Sequence, residues 1–162
     1  MNRKRYSLLI VVFCVLLGCM GCGQDTPPVS MYDLSRAMLA ADDTLPEMSY
    51  VSSSDENASD LFSYLSNLDY TLVDSYFLSY SSKGLADEIA VIALKNAADA
   101  DAAKKTIDAH VQSRVAMYKQ YDPSQTSRAE EAMVFVSGRY VVLIISDKQH
   151  EVKSAFNSSI KE

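Results

Sequence analysis

Hydrophobic residues recur at two different spacings along the chain, and the change of spacing separates helices from strands. A helical spacing over residues 31–39 predicts a short helix, which Pro46 prevents from continuing. A second short helix is predicted around residues 61–68, after a polar stretch. For residues 48–51 two interpretations stay open, a short strand or an extended link.

The second half of the chain predicts two β-hairpins on either side of a long helix. Residues 76–80 alternate between the two sides of a strand, and residues 88–94 form a nearly continuous apolar run, with a glycine-containing turn between them. Residues 132–136 and 140–145 form the second pair, joined by a tight turn at Gly138.

Between the hairpins, an apolar stripe at helical spacing covers about six turns and ends before Pro123. Asn96 is expected to cap this helix, and Ser146 with Gln149 predicts a capping box for a final helix. The stripe of the long helix consists of Ala100, Ala103, Ile107, Val111, Tyr118 and Tyr121.

Together these elements predict an α+β fold: N-terminal helices followed by β-β-α-β-β-α, with a four-stranded antiparallel sheet and helices packed against it. Residues 140–145 are apolar at six successive positions, so both faces of that strand should be covered. The long and terminal helices are expected on one face, and the N-terminal helices, or a partner, on the other. A face left open would be the best candidate binding surface, where Tyr76, Phe77, Tyr80 and Tyr140 would form an aromatic platform.

The first 18 residues have the features of a lipoprotein signal peptide. Three basic residues, Arg3 to Arg5, precede an apolar run over residues 6–17. This run is shorter than the roughly 20 apolar residues that a spanning helix needs. We therefore expect export, with the domain on the extracytoplasmic face of the cell membrane.

The end of this signal predicts where a lipid is attached. A lipoprotein-processing enzyme favours an apolar residue three positions before the modified cysteine and a small residue directly before it, and Leu16 and Gly18 meet this pattern before Cys19. Cys19 is the predicted site of fatty acyl groups such as palmitate, which would hold the protein at the membrane. Cys22, preceded by Gly21, remains the alternative.

Behind the signal, residues 19–29 are polar and punctuated by prolines, and we expect a flexible tether there. Residues 30–162 suit a single domain without internal repeats. The three cysteines all lie within residues 14–22, so the domain has no disulfide. The C-x-x-C spacing from Cys19 to Cys22 has no second pair with which to form a zinc site.

Charge and motif content exclude several classes of function. The chain carries a formal net charge of −6, and loss of the basic signal would make it more acidic, which argues against nucleic acid as a partner. His110 and His150 stand in no zinc-binding spacing, and no serine lies in a Gly-x-Ser-x-Gly turn. The sequence therefore predicts no metal, no cofactor and no catalytic residue.

Arg114 is the candidate for special chemistry, because it falls within the apolar stripe of the long helix. A buried guanidinium requires a carboxylate, and Asp87 and Glu88 at the start of the facing strand are the nearest candidates by topology. Three interpretations stay open: an anion-binding arginine, a structural ion pair, or an arginine whose stem packs against the core while its head reaches water.

Several segments resemble a known family. Residues 87–92 (DEIAVI), the helix end at residues 121–123 (YDP) and residues 137–147 (SGRYVVLIISD), together with the lipoprotein signal, are similar to a family of small uncharacterised lipoproteins from low-GC Gram-positive bacteria, catalogued as a domain of unknown function. The similarity spans residue 33 to the C-terminus. It implies an extracytoplasmic lipoprotein, and brings with it no catalytic residue, cofactor or ligand.

Two classes of function compete. The first is a membrane-anchored, non-catalytic binding or accessory module at the cell envelope, whose partner is a protein or a wall polymer. The second is an extracytoplasmic hydrolase with a dispersed active site. A cleft that holds His110 or His150 beside an acid and a serine would favour the hydrolase, and a grooved apolar sheet face would favour the binding module.

Overall fold

A five-stranded antiparallel sheet forms the centre of the computed structural model, which describes residues 29–160. The predicted signal peptide, the tether up to residue 28 and both lipidation candidates, Cys19 and Cys22, lie outside the described residues. In chain order the elements are α1 (Met31–Ala40), β1 (Met48–Ser52), α2 (Ala58–Phe62), β2 (Val73–Ser81), β3 (Glu88–Leu94), α3 (Ala100–Tyr121), α4 (Thr126–Glu130), β4 (Met133–Ser137), β5 (Tyr140–Ile145) and α5 (Gln149–Ser159).

The strands lie side by side in the order β1-β2-β3-β5-β4, and every neighbouring pair is antiparallel. The prediction of an α+β fold with one antiparallel sheet is confirmed, but the predicted number of four strands is wrong. The fifth strand is β1, which pairs with β2 from Met48 opposite Ser81 to Ser52 opposite Phe77. Its partner lies about 30 residues further along the chain, so the local pattern could not decide between a strand and a link.

Both predicted hairpins are present. The β2–β3 turn contains Gly84 at φ 75° and the β4–β5 turn contains Gly138 at φ 57°, two left-handed conformations that glycine adopts without a steric penalty. The order of elements differs from the prediction in two places, because β1 lies between the first two helices and the short helix α4 lies between α3 and β4. The polar sequence of α4 gave no periodic signal.

Helices cover both faces of the sheet. On one face, which we call the closed face, α1 and α5 pack against each other and bury side chains from β2, β3 and β5. The other face, which we call the cleft face, is covered by α2, α3 and α4. The buried apolar side chains of the closed face are those of Leu34, Met38, Phe77, Ile89, Val91, Val142, Ile144, Val152 and Phe156.

The predicted grouping of the long and terminal helices on one face is therefore wrong. Alternate residues of β5 point to opposite faces, and α5 packs its Val152 and Phe156 over Val142 and Ile144, on the side where α1 lies. The long helix α3 covers the alternate residues of β5 that point to the other face, including Leu143. Both faces of β5 are covered, as the run of six apolar residues predicted.

Two local predictions also meet a different outcome. Ser146 is buried at the end of β5 and is not the cap of α5, whose N-cap position is Lys148. Asn96 caps the 3-10 turn Ala97–Asp99, which runs directly into α3, by accepting a hydrogen bond from the Ala98 amide. Within residues 29–160, no helix combines the length and the apolar character needed to cross a bilayer.

Candidate functional site

The helical layer on the cleft face has a gap. At one end of β2 the short helix α2 and the long helix α3 leave between them a cleft of about 400 Å³. Tyr80 of β2 is 38% exposed here, although Tyr76, four residues earlier on the same strand, is fully buried. The residues that line the cleft are Val51, Leu61, Tyr64, Leu78, Tyr80, Glu88, His110, Ser113 and Arg114.

The strands form the floor of this cleft. Val51 of β1 stands opposite Leu78 of β2, and Tyr80 of β2 stands opposite Glu88 of β3. Leu61 and Tyr64 come from α2 and the turn that follows it, whereas His110 and Arg114 come from α3. The cleft thus combines an apolar and aromatic lining with one group of charged side chains.

Glu88 is the most unusual residue of this floor, because it is a carboxylate with only 2% of its surface exposed. It is the first residue of β3, and the strand alternation places it on the same face as Ala90 and Ile92, beneath α3. On its other side β5 presents Ile145 in register. A carboxylate in such surroundings requires charged partners or hydrogen-bond donors.

Two side chains of α3 supply those partners. His110 Nε2 lies 2.6 Å from Glu88 Oε1, and Arg114 Nε lies 3.2 Å from Glu88 Oε2. Positions four residues apart lie on the same side of a helix, so α3 brings both groups to one carboxylate. We refer to Glu88, His110 and Arg114 as the charged triad.

The guanidinium of Arg114 also contacts Tyr118 of the same helix. Its Nη2 donates a hydrogen bond to the Tyr118 hydroxyl at 2.8 Å, and its Cζ lies 5.0 Å from the centre of the Tyr118 ring. That hydroxyl in turn donates to the Leu85 carbonyl at 2.7 Å in the β2–β3 turn. Burial raises the pKa of Tyr118, and the negative charge of Glu88 acts in the same direction while Arg114 opposes it, so the phenol stays a neutral donor.

Asp87, the other predicted partner of Arg114, lies in a separate ion-pair cluster. Its carboxylate is 2.7 Å from Arg128 Nη1, and Asp147 accepts from Arg128 Nη2 at 2.6 Å. The hydrogen bond that Arg128 donates to Asp147 raises the pKa of Arg128, burial opposes that shift, and Asp87 reinforces it. The structure therefore brings Arg114 to Glu88 but not to Asp87. Arg128 belongs to α4, the helix that the sequence pattern did not reveal.

Sequence reasoning did not pair His110 with Glu88. It considered His110 as a metal ligand and as part of a hydrolase cleft. The spacing of four residues between His110 and Arg114 was the available signal, because it places both side chains on the helix face that looks towards β3. His150 lies elsewhere, on a polar surface that it shares with Arg128 and Asp147.

The aromatic residues divide between the core and the cleft. Tyr76 and Phe77 are fully buried, so the interpretation of these two as an exposed platform is wrong. Tyr80 does line the cleft, and it is joined by Tyr64, which is 72% exposed and which the sequence did not single out. Among residues 29–160, no three histidine, cysteine or acidic side chains converge where they could hold a metal ion.

Ser113 gives the cleft a hydroxyl beside the histidine and the acid. It is exposed and lies in the middle of α3, three residues after His110. In the described part of the chain the two side chains form no hydrogen bond with each other. The backbone amides around Ser113 are engaged in the helix, so they cannot act as the oxyanion donors that acyl transfer requires.

A comparison with protein families identifies the chain's relatives. The model of a family described as a domain of unknown function, DUF4358, matches residues 48–146. The chain belongs to this family. The match runs from β1 to just past the end of β5 and includes all three members of the charged triad, whereas α1 and α5 lie outside it. No curated protein and no solved structure matches the chain.

Proposed function

We propose that this protein is a lipid-anchored binding module on the extracytoplasmic side of the cell envelope, and that the cleft over Glu88 is its binding site. The observation that supports the proposal best is the charged triad itself. A buried ion pair contributes little net stability compared with apolar residues of similar size, so a buried carboxylate at the floor of an open cleft points to recognition. The partner would be a component of the envelope, a protein or a wall polymer.

The position of the cleft suits a protein that is tethered at its N-terminus. Val29, where the described chain begins, packs with α1 on the closed face. The cleft opens on the opposite face of the sheet. The tether would therefore join the domain on the face of the sheet opposite the cleft.

The anchor is tested by metabolic labelling of cells with an alkyne-tagged fatty acid. We expect the native chain and the Cys22→Ser variant to carry the label in the membrane fraction, and the Cys19→Ser variant to lose it. Label that persists in the Cys19→Ser variant and disappears in the Cys22→Ser variant would move the anchor to Cys22. Label that persists when both cysteines are replaced would overturn the anchor.

The binding site is tested by photo-crosslinking in the native membrane. A p-benzoylphenylalanine residue at position 64 replaces an exposed tyrosine of the cleft, and the same residue at position 121 replaces an exposed tyrosine outside it. We expect one reproducible crosslinked species from position 64 and not from position 121, and its loss when Glu88 and Arg114 are both replaced by methionine. Equal crosslinking from both positions would contradict a site in the cleft.

A hydrolase remains the second candidate, because the cleft holds His110, Glu88 and Ser113 together. A fluorophosphonate probe separates the two functions, since it labels serines that are activated as nucleophiles. The binding module predicts no labelling of the native protein. Labelling that is lost in both the Ser113→Ala and the His110→Asn variants would establish the hydrolase.

A further inference from the structure

We propose that the cleft recognises a ligand with a single carboxylate and an apolar, preferably aromatic, body. The carboxylate would bind to Arg114, and the body would lie among Tyr64, Tyr80 and the aliphatic side chains of the floor. This inference rests on the proposed binding function and specifies the chemistry of the ligand.

Arg114 supplies the donors for the carboxylate. Of the described residues that line the cleft, it is the one with a fixed positive charge. Its Nη2 donates to Tyr118 and lies 3.4 Å from the Leu85 carbonyl, and its buried Nε faces Glu88 Oε2 at 3.2 Å. Its Nη1 forms no hydrogen bond with the described residues, so the two N–H donors of that amino group remain for the oxygens of a carboxylate, and the guanidinium is oriented in advance by Glu88 and Tyr118.

The charge of the triad disfavours a ligand with more than one negative charge. Glu88 and Arg114 neutralise each other, so the triad carries no net charge when His110 is neutral and a single positive charge when His110 is protonated. A dianion such as a phosphate monoester would face the Glu88 carboxylate behind Arg114 without a second cation to balance it. The net charge of −6 of the whole chain acts in the same direction.

The lining of the cleft determines the rest of the ligand. Val51, Leu61 and Leu78 provide aliphatic surface, and Tyr64 and Tyr80 provide rings that are exposed in the free protein. Partly exposed tyrosines favour contact with aromatic or apolar groups. A volume of about 400 Å³ is at the lower end of the range for small-molecule sites, which fits a small carboxylic acid or the last residue of a peptide.

The test uses three probes and the full-length chain in detergent, with empty micelles as a blank. N-acetylphenylalanine carries both features, N-acetylphenylalanine amide lacks the charge, and N-acetylglycine lacks the aromatic body. Ligand-observed NMR titrations give the affinity of each. We expect N-acetylphenylalanine to bind, and the other two to bind about tenfold more weakly or not at all, since a charge-assisted hydrogen bond and a buried ring each contribute at least that factor.

Two double variants show where the probe binds. Replacement of Glu88 and Arg114 by methionine removes the charges of the cleft together, and we expect it to abolish binding of N-acetylphenylalanine. The matched control replaces Asp74 and Arg139, an ion pair outside the cleft whose atoms are 2.8 Å apart, and should leave binding unchanged. Circular dichroism verifies that both variants are folded.

A fourth probe separates the two sources of this chemistry. If the peptide Ala-Ala-Ala-Phe with a free C-terminus binds more tightly than N-acetylphenylalanine, the natural ligand is a chain end; if the two bind equally, it is a small acid. Either result supports the inference. Equal affinity for the acid and its amide in the native protein would overturn it, and so would no detectable binding of either carboxylate. A specific crosslink at position 64 combined with such a result would retain the binding module and reject only this ligand chemistry.

Discussion

The two faces of the sheet are built from the same strands but carry different chemistry. The core of the closed face consists mainly of apolar side chains, with the hydroxyl of the buried Ser79 donating to the Ser49 carbonyl, and two helices from opposite ends of the described chain seal it. The core of the cleft face borders a buried carboxylate, a histidine and an arginine, and its helical layer has a gap. An alternating strand such as β3 contributes to both, with Ile89 on the closed face and Glu88 on the other.

This contrast separates stability from recognition. Apolar residues that fill a closed layer stabilise the fold through burial, and they leave no group available for a ligand. The charged triad costs solvation free energy that its internal attraction only roughly offsets, but it places a guanidinium at an accessible cleft.

The largest effect is expected on the closed face. Phe156 is fully buried and packs edge-on against Phe135 and Tyr140, with ring centres 5.5 and 5.9 Å away. We expect Phe156→Ala to lower the free energy of unfolding by about 3–5 kcal/mol, measured by urea denaturation. The variant should still bind N-acetylphenylalanine under conditions where it is folded. Loss of that binding in the folded variant would contradict the assignment of stability to the closed face and of recognition to the cleft face.

On the cleft face, we expect Glu88→Ala to lower the free energy of unfolding by somewhat less than Phe156→Ala does. It leaves Arg114 without its carboxylate, and breaking a buried ion pair typically costs about 3–5 kcal/mol. The side chain of Arg114 is 22% exposed and can turn towards water, so we expect a loss near 3 kcal/mol in the same urea experiment. A change of less than about 0.5 kcal/mol, the range of ordinary surface substitutions, would show that the carboxylate is not balancing the arginine.

A smaller, pH-dependent effect is expected where α1 meets α5. Burial raises the pKa of Asp42, but hydrogen bonds from the Thr44 side chain and backbone and from the Lys148 amide lower it more, so that it lies below its ordinary value of 3.8. The ionised carboxylate therefore stabilises the fold at pH values above about 4, and this contribution is lost as the pH falls through the lowered pKa.

The variant Asp42→Asn tests this contribution. The amide nitrogen of the new side chain would face N–H or O–H groups that the carboxylate oxygens accept from in the native protein. We therefore expect the free energy of unfolding to fall by about 1–2 kcal/mol at pH 7. Urea denaturation at a series of pH values should show the difference from the native chain shrinking below pH 4. A difference that stays constant down to pH 3 would contradict a role for the ionised form.

The smallest effect on stability is expected for Tyr64→Ser, because this tyrosine is 72% exposed at the edge of the cleft. We expect a change within about 0.5 kcal/mol in the free energy of unfolding. Binding of N-acetylphenylalanine should nevertheless weaken several-fold, since the ring of the ligand loses an aromatic contact. Tyr121→Ser, at a still more exposed tyrosine outside the cleft, is the matched control and should change neither quantity.

The elements with strong periodicity were predictable from the sequence, and those without it were not. Helix α3 and the two hairpins have apolar patterns long enough to define them. Strand β1 shows no clear alternation of buried and exposed residues and gains its hydrogen bonds from a distant partner, and α4 is polar and only five residues long. Periodicity also shows which residues of a strand share a face of the sheet, but it does not show which helix covers that face. For this reason the position of α5 was predicted wrongly.

The site was predictable only in part for the same reason. The placement of Arg114 within an apolar stripe indicated a carboxylate partner, and the topology offered Asp87 and Glu88 without a choice between them. The choice depends on Arg128, which lies 2.7 Å from Asp87 and comes from α4. The gap that exposes Tyr80 depends on how far α2 extends, and a sequence pattern does not give the space between two helices.

The account depends most on the claim that the charged triad serves recognition and not stability. The free energy of unfolding of the double variant with methionine at positions 88 and 114 tests this claim directly, because the variant replaces both charges with apolar side chains that can fill the space. We predict a value within about 1 kcal/mol of the native protein, or higher, since apolar replacement of a buried ion pair is often neutral or stabilising. A loss of about 3 kcal/mol or more would show that the triad holds the fold together, and would contradict the account.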